Sequence, residues 1–435
     1  MHRKFALNNH LFAKLFTLVC LTSVFLLPTG CSRNSSDDST DANVSNNEQS
    51  DPAPSEAQKK KETQLTEVDT QPKNSPPQQV KQPKSSPPQQ ADQSKIRQME
   101  QQLIKAWQNK NPGRKPTEPL LKLPVTKGGI RRLAFSPTNP KLVAISGFEK
   151  RAELLDLTTG KGMTLEVEAG RPSGLAFTPD GNLLVVTAGK QILIWDPKTN
   201  KVQRTIPLER SCSGRSPLVV TNDGKSVIVG SDGVLFGKND GQTLWQWDIA
   251  TGKQIRTFPT GNSSLRVVAV SGDDVWVAAG VESSRNPKKP RRLLVWNARN
   301  KSDAKEFLAD AYIHSMAFSP DSKTLAVGYN LNDKNAVSLV DLKAGTIRTF
   351  GKEHDGGVFA MTFIDNKHLL VGYSTAQTSP YRIWDVQSGT VKGKFNKFVN
   401  MDGVPLALSP GKTFLAAQDL YSKHILVWPM ADLLK

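Results

Sequence analysis

The sequence has few cysteines for its length, and their positions exclude an internal disulfide framework. Only Cys20, Cys31 and Cys212 occur among 435 residues. Cys20 lies inside an N-terminal apolar run and Cys31 follows that run closely, so a folded region downstream contains Cys212 alone and no second cysteine to pair with it. We predict that Cys212 is a buried apolar side chain, with a reactive thiol as the alternative.

The N-terminal apolar run is too short to cross a bilayer. It covers residues 15–27, follows Arg3, Lys4 and Lys14, and suits the core of an export signal. The letters LPTGC come next and resemble the lipobox of bacterial lipoproteins. This resemblance implies a signal peptide over residues 1–30, a lipid on Cys31 and anchoring in the cell envelope, at the outer membrane if the cell has two membranes. Plain secretion and an uncleaved anchor remain open, because proline stands at residue 28 where the lipobox usually has leucine.

Large apolar residues are nearly absent from residues 32–118, which are rich in Gln, Pro, Ser, Lys and Asn. Such a composition cannot bury enough apolar surface to offset chain entropy, so we predict a disordered tether over residues 31–95. Its segment PKNSPPQQVKQPKSSPPQQ contains two similar copies and favours extended polyproline conformations. The tether is a solvated spacer or, alternatively, carries a proline-rich ligand motif.

One short segment interrupts this composition. Ile96, Met99, Leu103, Ile104 and Trp107 recur at steps of three or four residues, which predicts one apolar face of a helix. We assign residues 96–118 to a short amphipathic helix and a connector. The helix docks on the neighbouring domain, binds a partner, or is frayed; the sequence leaves these alternatives open.

Internal repetition governs the rest of the chain. Seven similar segments are separated by 42 to 50 residues: LAFSP, LAFTPDG, LVVTNDG, VAVSGDD, MAFSPDS, MTFIDNK and LALSPGK. An apolar run follows each, and a third apolar run then ends on a shared position, most often Trp-Asp. The segments are short, rich in β-branched and aromatic residues and bounded by turn residues, which indicates strands.

The repeat length, the Ser-Pro-Asp-Gly turns and the Trp-Asp ends together resemble the WD40 family over residues 119–435. The resemblance implies an all-β fold, a seven-bladed β-propeller. After Trp428 no residues remain for the outer strand of the last blade, whereas PLLKLPV at residues 119–125 has the apolar-Pro ending of other outer strands. We therefore predict that this N-terminal strand completes blade seven and closes the ring.

The aspartates that end the third strands stand before turns such as DLTTG and DIATG, and we interpret them as turn caps without chemistry. The histidines lack ligand-like spacing, so we predict no metal site. Because the Gly-His dipeptide of WD40 repeats is missing, a buried His-Asp hydrogen-bond network is not expected. We find no nucleophile elbow and no phosphate-binding glycine loop, so the prediction is a protein that is not an enzyme and needs no cofactor; a divergent propeller enzyme is the remaining alternative.

Positive charge is concentrated in the repeat region. Residues 119–435 contain 41 Lys and Arg against 28 Asp and Glu. By family analogy, the loops between second and third strands share one face with the loops that enter each first strand. One long loop holds the candidate binding cations: Arg285, Lys288, Lys289, Arg291 and Arg292. Cations of blade one are expected on the same face: Arg131, Arg132, Lys150 and Arg151.

These features predict a membrane-anchored, non-catalytic scaffold in the cell envelope that binds unidentified protein partners. The alternative is a receptor for an anionic envelope polymer or lipid surface, held by the basic loop. The third interpretation is that the long basic loop is solvated and belongs to a generally basic surface without a specific ligand. Nucleic acid is not expected as a partner, because the basic stretches have no interleaved aromatic residues.

Overall fold

The structure is a computed structural model that describes most of the repeat region and the helix before it. The described residues are 92–116, 118–125, 129–212, 216–231, 242–261, 264–282, 291–300, 303–332, 334–354, 356–374, 379–398, 406–418 and 424–433. The predicted signal peptide, the lipidation site Cys31 and the predicted tether up to residue 91 lie outside these residues.

Seven antiparallel sheets form the predicted seven-bladed β-propeller. Each repeat makes one sheet, and the first strand of each sheet contacts the first strands of the two neighbouring sheets, so that the seven first strands close a ring. Blade one contains β2 (Arg132–Phe135), β3 (Leu142–Ser146), β4 (Arg151–Asp156) and β5 (Gly162–Glu166). Blade two contains β6 (Pro172–Phe177), β7 (Leu184–Asp196) and β8 (Lys201–Cys212).

The remaining blades follow in chain order. Blade three contains β9 (Leu218–Val220), β10 (Ser226–Gly230), β11 (Gln242–Asp248) and β12 (Gln254–Pro259). Blade four contains β13 (Ser264–Val270), β14 (Trp276–Glu282), β15 (Arg292–Asn297) and β16 (Lys305–Phe307). Blade five contains β17 (Tyr312–Phe318), β18 (Thr324–Leu331), β19 (Lys334–Asp341) and β20 (Ile347–His354).

Blade six contains β21 (Gly357–Phe363), β22 (His368–Ser374), β23 (Ser379–Asp385) and β24 (Thr390–Phe398). Blade seven contains β25 (Leu406–Leu408), β26 (Phe414–Gln418) and β27 (His424–Pro429), completed by β1 (Leu121–Pro124) from the other end of the repeat region. Two helices flank the strands, α1 (Gln93–Lys110) and α2 (Met430–Leu433). Neither helix in the described part of the chain has the length and apolar character needed to cross a membrane.

Blade seven confirms the predicted closure. Strand β1 pairs antiparallel with β27, with Leu121 opposite Val427 and Leu123 opposite Ile425. Pro124 is the last residue of β1, the outermost strand of this sheet. Its missing backbone N–H therefore removes no hydrogen bond between strands. The ring therefore closes with one blade built from both ends of the repeat region, and no blade is left with an unpaired third strand.

Blade two differs from the others because its second and third strands are continuous in one element, β7, with only a tight turn between them. The first half of β7 pairs with β6 and the second half pairs with β8. The chain turns between these halves at Gly189, whose φ of 54° is in the left-handed region that favours glycine. The turn between second and third strands is consequently very short in this blade.

The propeller has two unlike faces. We call the side with the connections between first and second strands and between third and fourth strands the turn face. The opposite side, with the second-to-third connections and the passages between blades, is the loop face. This division follows from the up-and-down order of strands within each sheet.

The predicted turn caps are confirmed on the turn face. The Asp248 carboxylate accepts the backbone N–H of Thr251 at 2.7 Å, and the Asp385 carboxylate accepts that of Ser388 at 2.8 Å. These hydrogen bonds from Thr251 and Ser388 lower the pKa values of the two aspartates below the usual range. The glycines four residues later, Gly252 and Gly389, have φ values of 73° and 71°, as the left-handed ends of these turns require.

Buried aromatic and aliphatic side chains fill the space between blades. Trp195, Trp296 and Trp428 are almost fully buried, and the predicted burial of Cys212 is confirmed. In blade six, the Trp384 indole N–H donates to the Tyr373 hydroxyl at 2.9 Å. Burial raises the pKa of Tyr373 to about 12, although this hydrogen bond opposes the rise.

Helix α1 packs on the propeller, in agreement with one of the alternatives that its sequence left open. Leu103 and Trp107 lie in a cluster with residues of blades one and seven, and the Trp107 ring meets the Phe414 ring edge-on at 5.7 Å between centroids. The helix begins three residues before the apolar pattern, because the Asp92 carboxylate caps it by accepting the backbone N–H of Ser94 at 3.0 Å.

A cation–aromatic site on the loop face

The first strands of four blades carry a register shift near the loop face. The shifts fall at Ser173, Arg266, His314 and Phe359. A β-bulge turns a side chain out of the regular alternation and often occurs beside functional sites. Because the first strands surround the ring centre, the partly exposed side chains of Arg266, His314 and Phe359 lie around the mouth of the central channel, whereas Ser173 is buried.

Three aromatic rings form a row across blades five and six at this mouth. The centroids of Tyr312 and His314 are 4.7 Å apart, and those of His314 and Phe359 are 5.0 Å apart, both pairs with tilted planes. All three side chains are partly exposed. Blades five and six together therefore present a partly exposed row of tilted aromatic rings beside the channel.

Two guanidinium groups lie over the first ring of the row. The Arg266 and Arg291 guanidinium carbons are 4.6 Å and 4.9 Å from the Tyr312 centroid, within the range where an aromatic face attracts a cation. Arg266 also donates to the Tyr312 hydroxyl and, at 3.1 Å, to Glu282 Oε1. We call the group formed by Arg266, Glu282, Arg291, Tyr312, His314 and Phe359 the channel-mouth cluster.

The channel-mouth cluster holds two permanent positive charges against one carboxylate. Guanidinium forks match the planar geometry of carboxylate or phosphate groups, and the neighbouring rings offer apolar stacking surface. Arg291 is exposed, while the ion pair with Glu282 holds Arg266 in place. The arrangement suits binding of an anionic group next to a flat or apolar one.

Only two of the five predicted loop cations lie among the described residues, and these two have different surroundings. Arg285, Lys288 and Lys289 lie outside the described residues. Arg291 belongs to the channel-mouth cluster, whereas Arg292 Nε forms an ion pair with Glu306 Oε1 at 3.1 Å and its side chain is only 12% exposed. Arg292 therefore has a partner within blade four, whereas Arg291 is exposed and lies over Tyr312 of blade five.

Blade one contributes a second exposed feature to the loop face. The Arg131 guanidinium carbon is 4.7 Å from the centroid of Phe148, and the Phe148 side chain is 48% exposed. Arg151 has two carboxylate partners, Glu149 at 3.2 Å and Glu153 at 2.8 Å. Of the four cations predicted in this blade, Arg151 is thus neutralised locally and Arg131 is paired with an aromatic ring.

Arg132 and Lys150 are the other two predicted cations of blade one. Arg132 donates through Nη1 to the Arg131 carbonyl oxygen at 3.2 Å, and Lys150 is exposed. The loop face of blade one therefore combines an exposed lysine with an exposed phenylalanine. Exposed aromatic side chains such as Phe148 are enriched at protein interfaces, whereas lysines are depleted there.

The described residues contain no group of three or more His, Cys, Asp and Glu side chains that could hold a metal ion. His368 is engaged on the turn face, where its Nδ1 lies 2.9 Å from Asp365 Oδ2. His314 stacks between two aromatic rings as described above. Both histidines are thus surface or packed residues, as the sequence predicts.

Sequence reasoning missed the aromatic part of the site. Tyr312 and Phe359 precede repeat segments that were interpreted only as strands, and Glu282 ends a strand. The first strands YIHSMAF and GVFAMTF do carry aromatic residues near their beginnings, at the loop face. Only the register shifts show which of these side chains meet.

Comparisons with known proteins agree with the fold. Residues 163–196 match the family model described as WD domain, G-beta repeat (WD40); the matched segment contains the last strand of blade one and most of blade two. No curated protein matches the chain.

Among solved structures, 1598 chains match, so structural likeness by itself does not single out a function. One of them is Kuenenia stuttgartiensis Hydrazine Synthase, with 18% identity, a TM-score of 0.58, and coverage of 71% of this chain and 97% of that chain. At this identity the likeness supports the propeller fold alone.

Proposed function

We propose that this chain is a lipid-anchored, non-catalytic WD40-repeat protein of the cell envelope whose loop face binds a protein partner. The observation that carries the proposal is the channel-mouth cluster, which places exposed Arg291 and partly exposed aromatic rings together on one rigid face. Arginine and aromatic side chains dominate the energetics of many protein interfaces. The WD40 match of residues 163–196 supports a binding role.

The partner surface that fits this site has an acidic group beside an apolar one. The two guanidinium groups attract a carboxylate, and the Tyr312, His314 and Phe359 rings stack against an apolar side chain. Phe148 on blade one offers a second apolar contact on the same face. A partner that spans both features would cover the channel mouth.

The test is affinity capture from a native envelope extract with the full-length protein in mild detergent. We compare the wild type with Arg291→Ala and Phe148→Ala, and use Lys253→Ala as the matched control because this exposed lysine is on the turn face. We expect a defined protein that stays bound through high salt, with recovery reduced about tenfold by either loop-face variant. Equal recovery with all four proteins would contradict the proposal.

The excess of positive charge over residues 119–435 favours a second candidate, a receptor for an anionic envelope polymer. In that case the same experiment recovers polymer that elutes at modest salt, since screening weakens exposed charge pairs. Neutralising Arg285, Lys288, Lys289, Arg291 and Arg292 together should abolish polymer retention. Retention unchanged by this variant would remove the polymer candidate.

The anchor has its own test. Cys31→Ser removes the thiol that the lipid would occupy, so the protein should move from the membrane fraction to the soluble fraction. Metabolic labelling with a fatty-acid analogue should mark the wild type and leave the variant unlabelled. A variant that stays fully in the membrane fraction would overturn the lipid anchor.

A further inference from the structure

The turn between first and second strands in blade seven lacks an aspartate that four other blades share. In blades two to five this turn has a hydroxyl residue first and an aspartate third, and the aspartate carboxylate accepts the backbone N–H two residues later at 3.0 to 3.2 Å. The four aspartates are Asp180, Asp223, Asp273 and Asp321. Blade seven has Ser409 at the first position and Gly411 at the third.

The blade-seven turn nevertheless keeps the geometry of the others. Lys412 has a φ of 61°, as Ser322 does at the same position in blade five. The Lys412 N–H donates to the Ser409 carbonyl at 2.8 Å, and the Ser322 N–H donates to the Ser319 carbonyl at 2.9 Å. Without a carboxylate from outside the turn, the partly buried Thr413 N–H would lose the kind of acceptor that its counterparts have in the other blades.

Glu100 of helix α1 supplies this carboxylate. Its Oε2 accepts the Thr413 N–H at 3.2 Å and the Thr413 hydroxyl at 2.7 Å. The Thr413 N–H corresponds to the Lys323 N–H of blade five, which donates to Asp321. Glu100 is fully buried, and a charged side chain in such a place requires partners of this kind.

The second oxygen of Glu100 replaces a contact between blades. The N–H of the third turn residue is accepted by a side chain of the next blade in three cases, where Asp274, Ser322 and Asn366 are the acceptors. In blade seven the corresponding Gly411 N–H donates to Glu100 Oε1 at 2.7 Å. The Glu100 carboxylate thus accepts both hydrogen bonds that, in other blades, go to the turn aspartate and to a side chain of the next blade.

Gly411 and Glu100 are sterically matched. A Cβ added at residue 411 would collide with Glu100 Oε2, so an aspartate in the turn and a glutamate from the helix exclude each other. Beside this polar contact, Leu103 and Trp107 pack at the seam between blades seven and one. The site accepts one carboxylate and one apolar helix face, and α1 provides both.

We propose that the blade-seven turn, which has no aspartate of its own, is a carboxylate-binding site that holds α1 on the turn face through Glu100. Helix α1 begins at Gln93, roughly 10 Å along the helix axis from Glu100. The chain therefore enters the propeller on the side opposite the channel-mouth cluster. This attachment uses residues of the turn face and does not depend on what the loop face binds.

The test measures hydrogen exchange across the full-length protein for Glu100→Ala, Gly411→Asp and the double variant Glu100→Ala/Gly411→Asp. We expect Glu100→Ala to accelerate exchange of the α1 amides and of the Thr413 amide by about 10- to 100-fold. The single variant Gly411→Asp should release α1 as well, because the two carboxylates compete for one place. In the double variant the Thr413 amide should regain protection while α1 stays unprotected.

Gln101→Ala is the matched control, because this exposed neighbour on α1 has no place in the site, and its exchange pattern should equal that of the wild type. Glu100→Gln keeps the size of the side chain and should give intermediate protection, since one amide oxygen still accepts a hydrogen bond. Unchanged α1 protection in Glu100→Ala would overturn the proposal. So would a double variant in which α1 is protected again.

Discussion

The two faces of the propeller differ in how their connections are satisfied. On the turn face, connections are short, repeat from blade to blade, and pair their backbone N–H groups with their own carboxylates, as Asp248 and Asp385 do. On the loop face, the described connections differ in length and sequence, and the cations lie over exposed or partly exposed rings, as Arg131 and Arg291 do.

This difference separates stability from binding. A hydrogen bond repeated in several blades stabilises each turn by a modest amount, and removing a buried or half-buried partner costs more than the bond itself contributes. An exposed cation on an aromatic ring adds little to folding, which leaves it available to a partner. We therefore expect turn-face substitutions to change stability and loop-face substitutions to change binding.

The largest expected effect tests the ring on which both faces depend. Deleting residues 1–128 removes β1 and helix α1, which exposes the edge of β27 and the apolar seam beneath the helix. We expect the melting temperature to fall by roughly 10 °C or more, measured by calorimetry. A chain that begins at residue 92 is the control and should melt as the full chain does. Equal melting of both truncated chains would contradict the closure.

An intermediate effect sharpens the comparison between faces. Asp321→Ala removes the carboxylate that accepts the Ser319 hydroxyl at 2.6 Å and the Lys323 N–H at 3.2 Å. We expect the free energy of unfolding in urea to fall by about 1–2 kcal/mol. Phe148→Ala on the loop face should stay within about 0.5 kcal/mol of the wild type. A larger loss of unfolding free energy for Phe148→Ala than for Asp321→Ala would contradict the assignment of stability to the turn face.

The smallest effect concerns pH. Hydrogen bonds from Thr251 and Ser388 lower the folded-state pKa values of Asp248 and Asp385 below their ordinary value of 3.8. A lowered folded-state pKa means that the stabilisation is fully present above the unfolded-state value and is lost as the pH falls through the folded-state value. Stability should therefore decline below about pH 4.

The check is the unfolding midpoint followed from about pH 5 to about pH 2.5. The double variant Asp248→Asn/Asp385→Asn keeps an oxygen acceptor in each turn and no longer titrates, so its decline should be shallower. Phe148→Ala should keep the full decline. A decline of equal steepness in all three proteins would show that these turn caps do not contribute to the acid sensitivity.

Much of the fold could be predicted from local patterns. The strands, the repeat length and the turn aspartates are encoded within each repeat by residues that act on near neighbours. Even the pairing of β1 with β27 could be inferred, because the repeats showed that one outer strand was missing at one end and available at the other. The match between PLLKLPV and other outer strands needed no contact information.

The candidate site was predictable only in part. The loop-face location and the choice of Arg291 follow from charge alone. The different partners of Arg291 and Arg292 depend instead on which strands lie beside each side chain. Arg292 reaches Glu306 of the adjacent strand, while Arg291 reaches Tyr312 of the next blade. Register and blade packing decide such partners, and residues next to each other in sequence can point to different ones.

By itself, the sequence determined the seven-bladed ring and its closure by the N-terminal strand, because both follow from the periodicity of the repeats. It also determined the capping of the turns, because those hydrogen bonds join residues close in the chain. Only the tertiary structure decided that Glu100 completes the blade-seven turn and that Arg266, Arg291 and Tyr312 share one site. These residues are brought together across large sequence separations. A buried carboxylate or a cation–π pair requires partners within a few ångströms, and that proximity exists only once the blades have packed.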